Sequence, residues 1–228
     1  MIEVISITLV IIGALIGAGF ASGQEIFSFF YIYGKNGIYG ILIMSILIGI
    51  FIYKSLKIIY QKQVYNYNDF LNLFIKNTKI RNVILWIVNV LLLVSFYIMV
   101  AGFGAYFEQE IGINRIIGSI VLNLLCVIVF FSNIKGVLKA SNLIVPFLIF
   151  FIFFIGIKNI VQIRTIDFHQ MKNNWILSMI IYNSYNFILL MPVLISLKKQ
   201  ITKEKNIKKV SILVTIIILI LSINIFFL

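Results

Sequence analysis

Gly17-Ala18-Gly19-Phe20-Ala21-Ser22-Gly23-Gln24-Glu25 is the stretch of this chain best equipped for chemistry, and it lies inside the first long apolar segment. Glycine and serine weaken a helix, and backbone that leaves the helix offers bare amides and carbonyls as ligands. In hydrocarbon each unsatisfied backbone group costs several kcal/mol, so such a break persists only against protein or a water-filled cavity. Glu25 adds a carboxylate at membrane depth, suited to carry a proton or to partner a cation. A second polar cluster, Tyr182-Asn183-Ser184-Tyr185-Asn186, sits about a third of the way into a later apolar run and offers hydroxyl and amide side chains. The chemistry in view is binding. No HExxH, GxSxG or Cys/His cluster is present, so neither an enzyme nor a cofactor or metal is expected. The lone histidine, His169, falls in a connection with no second ligand near it in sequence.

Composition says which elements must hold these residues. Of 228 residues, 62% are hydrophobic and 11% charged, and the mean hydropathy is +1.11. A soluble core cannot hide that much apolar surface, so an all-α polytopic membrane protein is expected, a single integral membrane domain over 1–228. About 20 apolar residues cross the hydrocarbon core. Charge-free runs then place about seven transmembrane helices, near 5–33, 37–53, 82–106, 116–133, 140–157, 175–197 and 210–228. The formal charge of +12 is a topology signal and not a nucleic-acid one, because the basic residues flank the apolar runs. They crowd Lys54–Arg81, Lys135–Lys139 and Lys198–Lys209, while the opposite side carries only Lys35, Arg115, Lys158, Arg164 and Lys172. The positive-inside rule therefore puts the N-terminus in the cytoplasm. Met1-Ile2-Glu3-Val4 has no basic n-region, so the first segment is expected to be retained and not cleaved as a signal peptide. Cys126 is the single cysteine, which excludes an intramolecular disulfide.

The first segment is too long for one upright helix. Ile5–Tyr33 would measure roughly 43 Å against a core of about 30 Å. Tilt absorbs the excess, and so does unwinding around Gly17–Gly23. Gly13/Gly17 and Gly19/Gly23 also fit the small-xxx-small pattern of a close helix contact, so packing alone and packing with a break both stand. Ser22-Gly23-Gln24-Glu25 fits a capping box with Ser22 as N-cap, a reading that itself requires a helix to begin inside the membrane. The Lys54–Arg81 connection holds a short helix starting near Asn68-Asp69, placed at the membrane surface. Mid-span Ser95 and Tyr97 face either a cavity or a neighbouring helix. Asn142 and Pro146 mark a kink in the fifth span. At Tyr182–Asn186 the alternatives are bonding between helices and a second interruption facing the first.

Interruptions in segments one and six suggest the inverted-repeat transporters, in which half-helix ends and unwound carbonyls hold solute and ions near the midplane. Gly17-Ala18-Gly19-Phe20-Ala21-Ser22-Gly23-Gln24-Glu25-Ile26, Ala101-Gly102-Phe103-Gly104-Ala105 with Glu108-Gln109, and Asn142-Leu143-Ile144-Val145-Pro146 together resemble the YkvI family of bacterial membrane proteins. That family is similar to the amino acid–polyamine–organocation transporters of LeuT-like fold. The resemblance implies a first repeat of five helices plus the start of a second, with helices 1 and 6 interrupted and helices eight to ten lacking. It also implies a multi-pass protein of the bacterial plasma membrane that binds a small polar solute such as an amino acid, with sodium or a proton as coupling ion. The binding residues would be Gly17, Ala18, Gly19, Phe20, Ala21, Ser22, Gly23 and Glu25 on the first segment, Tyr97 on the third, and Tyr182, Asn183, Tyr185 and Asn186 on the sixth. The N-terminal end of the half-helix after the break is expected to favour a carboxylate. No sodium site can be carried over, since the eighth helix helps build it. A different class stays open: a non-transporting scaffold, a partner subunit, or a fragment of a split transporter.

Overall fold

The computed structural model describes residues 2–160 and 173–228; Arg164, His169 and Lys172, with the rest of 161–172, lie outside the described residues. Every regular element among the described residues is helical: α1 (Ile2–Leu15), α2 (Ala18–Ala21), α3 (Gln24–Phe29), α4 (Lys35–Gln61), α5 (Tyr67–Asn72), α6 (Thr78–Tyr106), α7 (Arg115–Phe131), α8 (Asn133–Ile160), α9 (Trp175–Ser196) and α10 (Glu204–Phe226). Five helical stretches are long and apolar enough to cross a membrane: Lys35–Gln61, Thr78–Ile111, Asn133–Gly156, Trp175–Gln200 and Glu204–Phe226. Of the seven spans expected, five reach that length among the described residues, and two shorter apolar helices take the remaining places. The reasons are local. Helix α1 stops after 14 residues because the glycine-rich break begins at once. Helix α7 has 17 residues, started by the Asn114 side chain accepting from the Ile116 amide and stopped beside Asn133, whose φ is +53°. Within α8, Pro146 is accommodated without ending the helix.

The chain falls into two compact units, 1–65 with 141–228, and 66–140. In the first, α4 packs on α9 and α10, and α1 packs on α9 and α10. Apolar residues at helical spacing on α4 (Ile41, Met44, Ile48, Ile52, Leu56, Ile59) are all under 2% exposed and form its buried stripe. Gly13 of α1 meets Val145 of α8, where a Cβ would stand 2.9 Å from the valine methyl, so this glycine is a packing residue. At the lysine-rich end, Lys198 is 8% exposed, its ammonium 3.5 Å from the centre of the Tyr65 ring, a cation–π contact that shelters the charge.

In the second unit, α6 packs on α7, and Ser119 Oγ donates to the Val100 carbonyl at 3.2 Å. Gly104 lies against the Arg115 carbonyl and the Ser119 hydroxyl, so part of the Ala101–Ala105 stretch is a helix contact. The short helix expected near Asn68-Asp69 is α5, with the Asn66 side chain accepting from the Asp69 amide at 2.8 Å. Large apolar side chains such as Trp86, Ile98, Phe130 and Phe131 are left exposed, at 68%, 67%, 77% and 78%, as a lipid-facing surface requires.

Glu3 joins the two ends of the first unit. One carboxylate oxygen accepts from the Thr202 amide at 2.9 Å and from Asn206 Nδ2 at 3.2 Å, and the other accepts from the Thr202 hydroxyl at 2.7 Å. Glu3 thus ties the start of α1 to the chain just before α10 and to Asn206 in its first turn. Burial pushes the Glu3 carboxyl up, but the bonds from Thr202 and Asn206 outweigh it and hold the group below its ordinary 4.5. A carboxyl with a depressed folded-state value adds stability above the unfolded value and loses it as pH falls through the folded one. Glu3→Gln should therefore lower the thermal midpoint in detergent at pH 7 by the equivalent of about 1 kcal/mol. That gap should close below pH 4.5; a gap of constant size down to pH 3 would contradict this account.

Candidate functional site

The site grows from the break in the first segment. Helix α1 closes with the Ile16 amide donating to the Ile12 carbonyl at 2.8 Å, and the chain then leaves the helix at Ile16–Gly17. Among the described residues the Gly17 amide has no backbone acceptor. One turn, α2, follows, and the chain breaks again at Ser22–Gly23 before α3. Gly23 has φ +79°, a left-handed conformation that costs other residues about 1 kcal/mol or more and costs glycine nothing. The break expected at Gly17–Gly23 is present, and it is double.

The capping box is not. Gly23 is the residue at the N-cap of α3, and no side chain caps it; Ser22 Oγ instead donates back to the Gly19 carbonyl at 3.2 Å. The left-handed turn at Gly23 carries Ser22 away from the new helix, which frees Glu25 from the capping role. Helix α3 has only six residues with Glu25 in its first turn, so it presents little positive end to a carboxylate.

Glu25 reaches across to α9. Tyr185 Oη donates to Glu25 Oε2 at 2.7 Å, one helix binding the other across the break. Gly19 makes room: a Cβ there would stand 2.7 Å from Glu25 Oε1 and 2.9 Å from its Cγ. Ser178, Tyr182 and Tyr185 recur at i, i+4 and i+7, which places them on one face of α9 toward this segment. Ser178 Oγ donates to the Phe29 carbonyl at 2.9 Å, one of the carbonyls left over at the end of α3. The Phe29 ring lies 5.3 Å from Tyr182 and 6.0 Å from Tyr185, and Tyr182 also packs edge-on against Phe30 at 5.2 Å. Gly37 of α4 accepts the Phe30 carbonyl where any side chain would collide. Ser178, Phe29 and Phe30 were not anticipated from sequence. The i, i+4, i+7 spacing of Ser178 with the two tyrosines was the signal that could have found the serine.

The second interruption does not form. Helix α9 runs unbroken from Trp175 to Ser196, through Tyr182–Asn186 and Pro192. Its polar side chains fold back on their own helix instead: Asn183 Nδ2 to the Met179 carbonyl at 3.0 Å, Ser184 Oγ to Ile180 at 2.7 Å, and Asn186 Nδ2 to Tyr182 at 2.9 Å. Each finds a carbonyl one turn back for its donor, so the polar run needs no break to place these donors in hydrocarbon. Asn183 Oδ1 stays buried without a partner among the described residues.

The other candidate residues spread out. Phe20 is 1% exposed and serves as core. Ala18 begins α2. Ala21, Ser22 and Gly23 with Gln24 form one wall of a groove of about 1270 Å³, closed by Leu143, Phe147 and Phe151 of α8 and by the Ile225–Leu228 end of the chain. Tyr97 belongs to the second unit, where it is 61% exposed and packs on Phe96. Residues brought together at the break are thus Gly17, Gly19, Glu25, Tyr182 and Tyr185.

The chain is 30% identical over 212 residues to the uncharacterized membrane protein YkvI of Bacillus subtilis, an alignment covering 88% of this chain and 58% of that protein. The likeness to the YkvI family read from the Gly17–Ile26 motif therefore holds over most of the chain, and this is a multi-pass membrane protein. The chain spans less than two thirds of the relative's length. No family model and no solved structure matches it.

Gly19 and Tyr185 both act on Glu25, which makes their coupling measurable. Tyr185→Phe removes the bond, and Gly19→Ala pushes the carboxylate off it. The two single substitutions should each lower stability, and the double mutant should fall short of their sum by about 1 kcal/mol. Simple additivity in thermal unfolding would refute the placement.

Proposed function

We propose that this chain forms the solute-binding part of a secondary transporter for a small polar solute such as an amino acid, coupled to a proton or sodium. The observation that carries this reading is the Glu25–Tyr185 bond at 2.7 Å, which spans a doubly broken membrane segment. A carboxylate held at that depth by a single hydroxyl is poised for a cationic partner, and a protonated amine of the solute fits it. The backbone freed at Gly17 supplies further hydrogen bonds, as in transporters built on discontinuous helices. Bacterial plasma membrane localisation with a cytoplasmic N-terminus accompanies this reading, from the YkvI likeness and the lysine distribution.

A second reading, a partner subunit or one piece of a split transporter, draws support from the mainly apolar groove beside Ser22–Gly23. Co-purification with a separately encoded helical segment would favour it.

A thermal-shift screen of the twenty amino acids, with and without sodium and from pH 5 to 8, tests the first reading. At least one amino acid should raise the midpoint, by the equivalent of about 2.7 kcal/mol at a hundred times its Kd. Glu25→Gln should abolish that rise, and Glu25→Gln with Asn186→Ala should abolish uptake into vesicles. A panel without any shift, or a shift that survives in Glu25→Gln, would overturn the assignment.

A further inference from the structure

A second groove of about 500 Å³ runs between α4 and α10, away from the break. Its lining changes character along its length. The two helices are antiparallel here: Lys57 stands 3.9 Å from Glu204, and further along Gly49 lies directly against Thr215. At one end the lining is Tyr53 and Lys208; toward the other it is Ile46, Ile50, Ile212 and Ile216, each 45% to 54% exposed. Gly49 forms the floor, because any side chain there would collide with the Thr215 hydroxyl. The serine and threonine hydroxyls that line it are already committed, Ser211 Oγ to the Lys208 carbonyl at 3.0 Å and Thr215 Oγ1 to the Ser211 carbonyl at 2.8 Å. The groove therefore offers a ligand one cation and an apolar trough, with no free polar group in between.

We propose that this groove binds one anionic phospholipid, its phosphate on Lys208 and an acyl chain along Ile46, Ile50, Ile212 and Ile216. Charge complementarity selects this occupant. Lys208 has no carboxylate within ion-pair distance among the described residues, and Lys205 and Lys209 flank it on the same helix. Basic pockets between membrane helices on the lysine-rich side suit anionic head groups, and Tyr53 sits at the level where aromatic side chains meet them. A second copy of the chain, at net charge +12, would instead bring like charge toward Lys208.

Native mass spectrometry of the full chain in mild detergent, titrated with dioleoyl phosphatidylglycerol or dioleoyl phosphatidylcholine, tests this. One molecule of the glycerol lipid should bind about fivefold more tightly than the choline lipid. Lys208→Gln should remove that preference, whereas Lys205→Gln, on an exposed lysine outside the groove, should keep it. Ile212→Trp, which fills the trough from an exposed position, should weaken both lipids. Equal binding of the two lipids by the parent chain, or an equal effect of Lys205→Gln and Lys208→Gln, would overturn the proposal.

Discussion

A backbone that leaves the helix inside hydrocarbon has to be answered group by group, and this constraint governs the first unit. Where α1 gives out at Leu15, glycines let the chain turn twice within eight residues, and each turn hands a polar group to a neighbour. Glu25 is answered by Tyr185, and the Phe29 carbonyl by Ser178. Helix α9 supplies both donors from one face. The contact between the broken segment and α9 is therefore polar at its centre and aromatic at its edges, with Phe29, Phe30 and Tyr182 shielding the bonds from lipid. Water exclusion of this kind strengthens each bond, since the alternative for Tyr185 or Glu25 is an unpaired group in low dielectric.

Sequence reasoning reached much of this. The charge-free runs located every apolar helix, because hydrocarbon admits few alternatives to a helix of about 20 apolar residues. Length and glycine content marked the break, and a lone carboxylate at depth marked Glu25. Two readings failed for related reasons. Ser22 looked like a cap because the capping box is a pattern of types, while the left-handed Gly23 decided which way the serine pointed. Tyr182–Asn186 looked like a break because polar residues were counted as demands on the surroundings. Asn183, Ser184 and Asn186 place their donors on carbonyls of their own helix, a bond that residue type alone does not reveal. Five spans stand where seven were expected because α1 is cut by its own break and α7 is bounded by two asparagines.

Glu3 and Glu25 show how a chain with seven acidic residues uses two of them. Both accept hydrogen bonds from an element far along the sequence, Thr202 and Asn206 for one and Tyr185 for the other. Glu3 works at the lysine-rich end, where it holds Thr202 and Asn206, and Glu25 works at depth. The two acids thereby fasten the first segment at its start and beyond its break, while the aliphatic stripe of α4 fills the space between α9 and α10.

The unbroken course of α9 has a mechanical consequence. Helix α9 is one continuous rod from Trp175 to Ser196, and the segment it holds is jointed at Ile16–Gly17 and at Ser22–Gly23. Where a rod and a jointed arm are fastened together, bending is borne by the arm, at the joints that lack helical hydrogen bonds. Tyr185 and Ser178 hold α3 to the rod near both its ends, and α2, between the two joints, is the part left to swing.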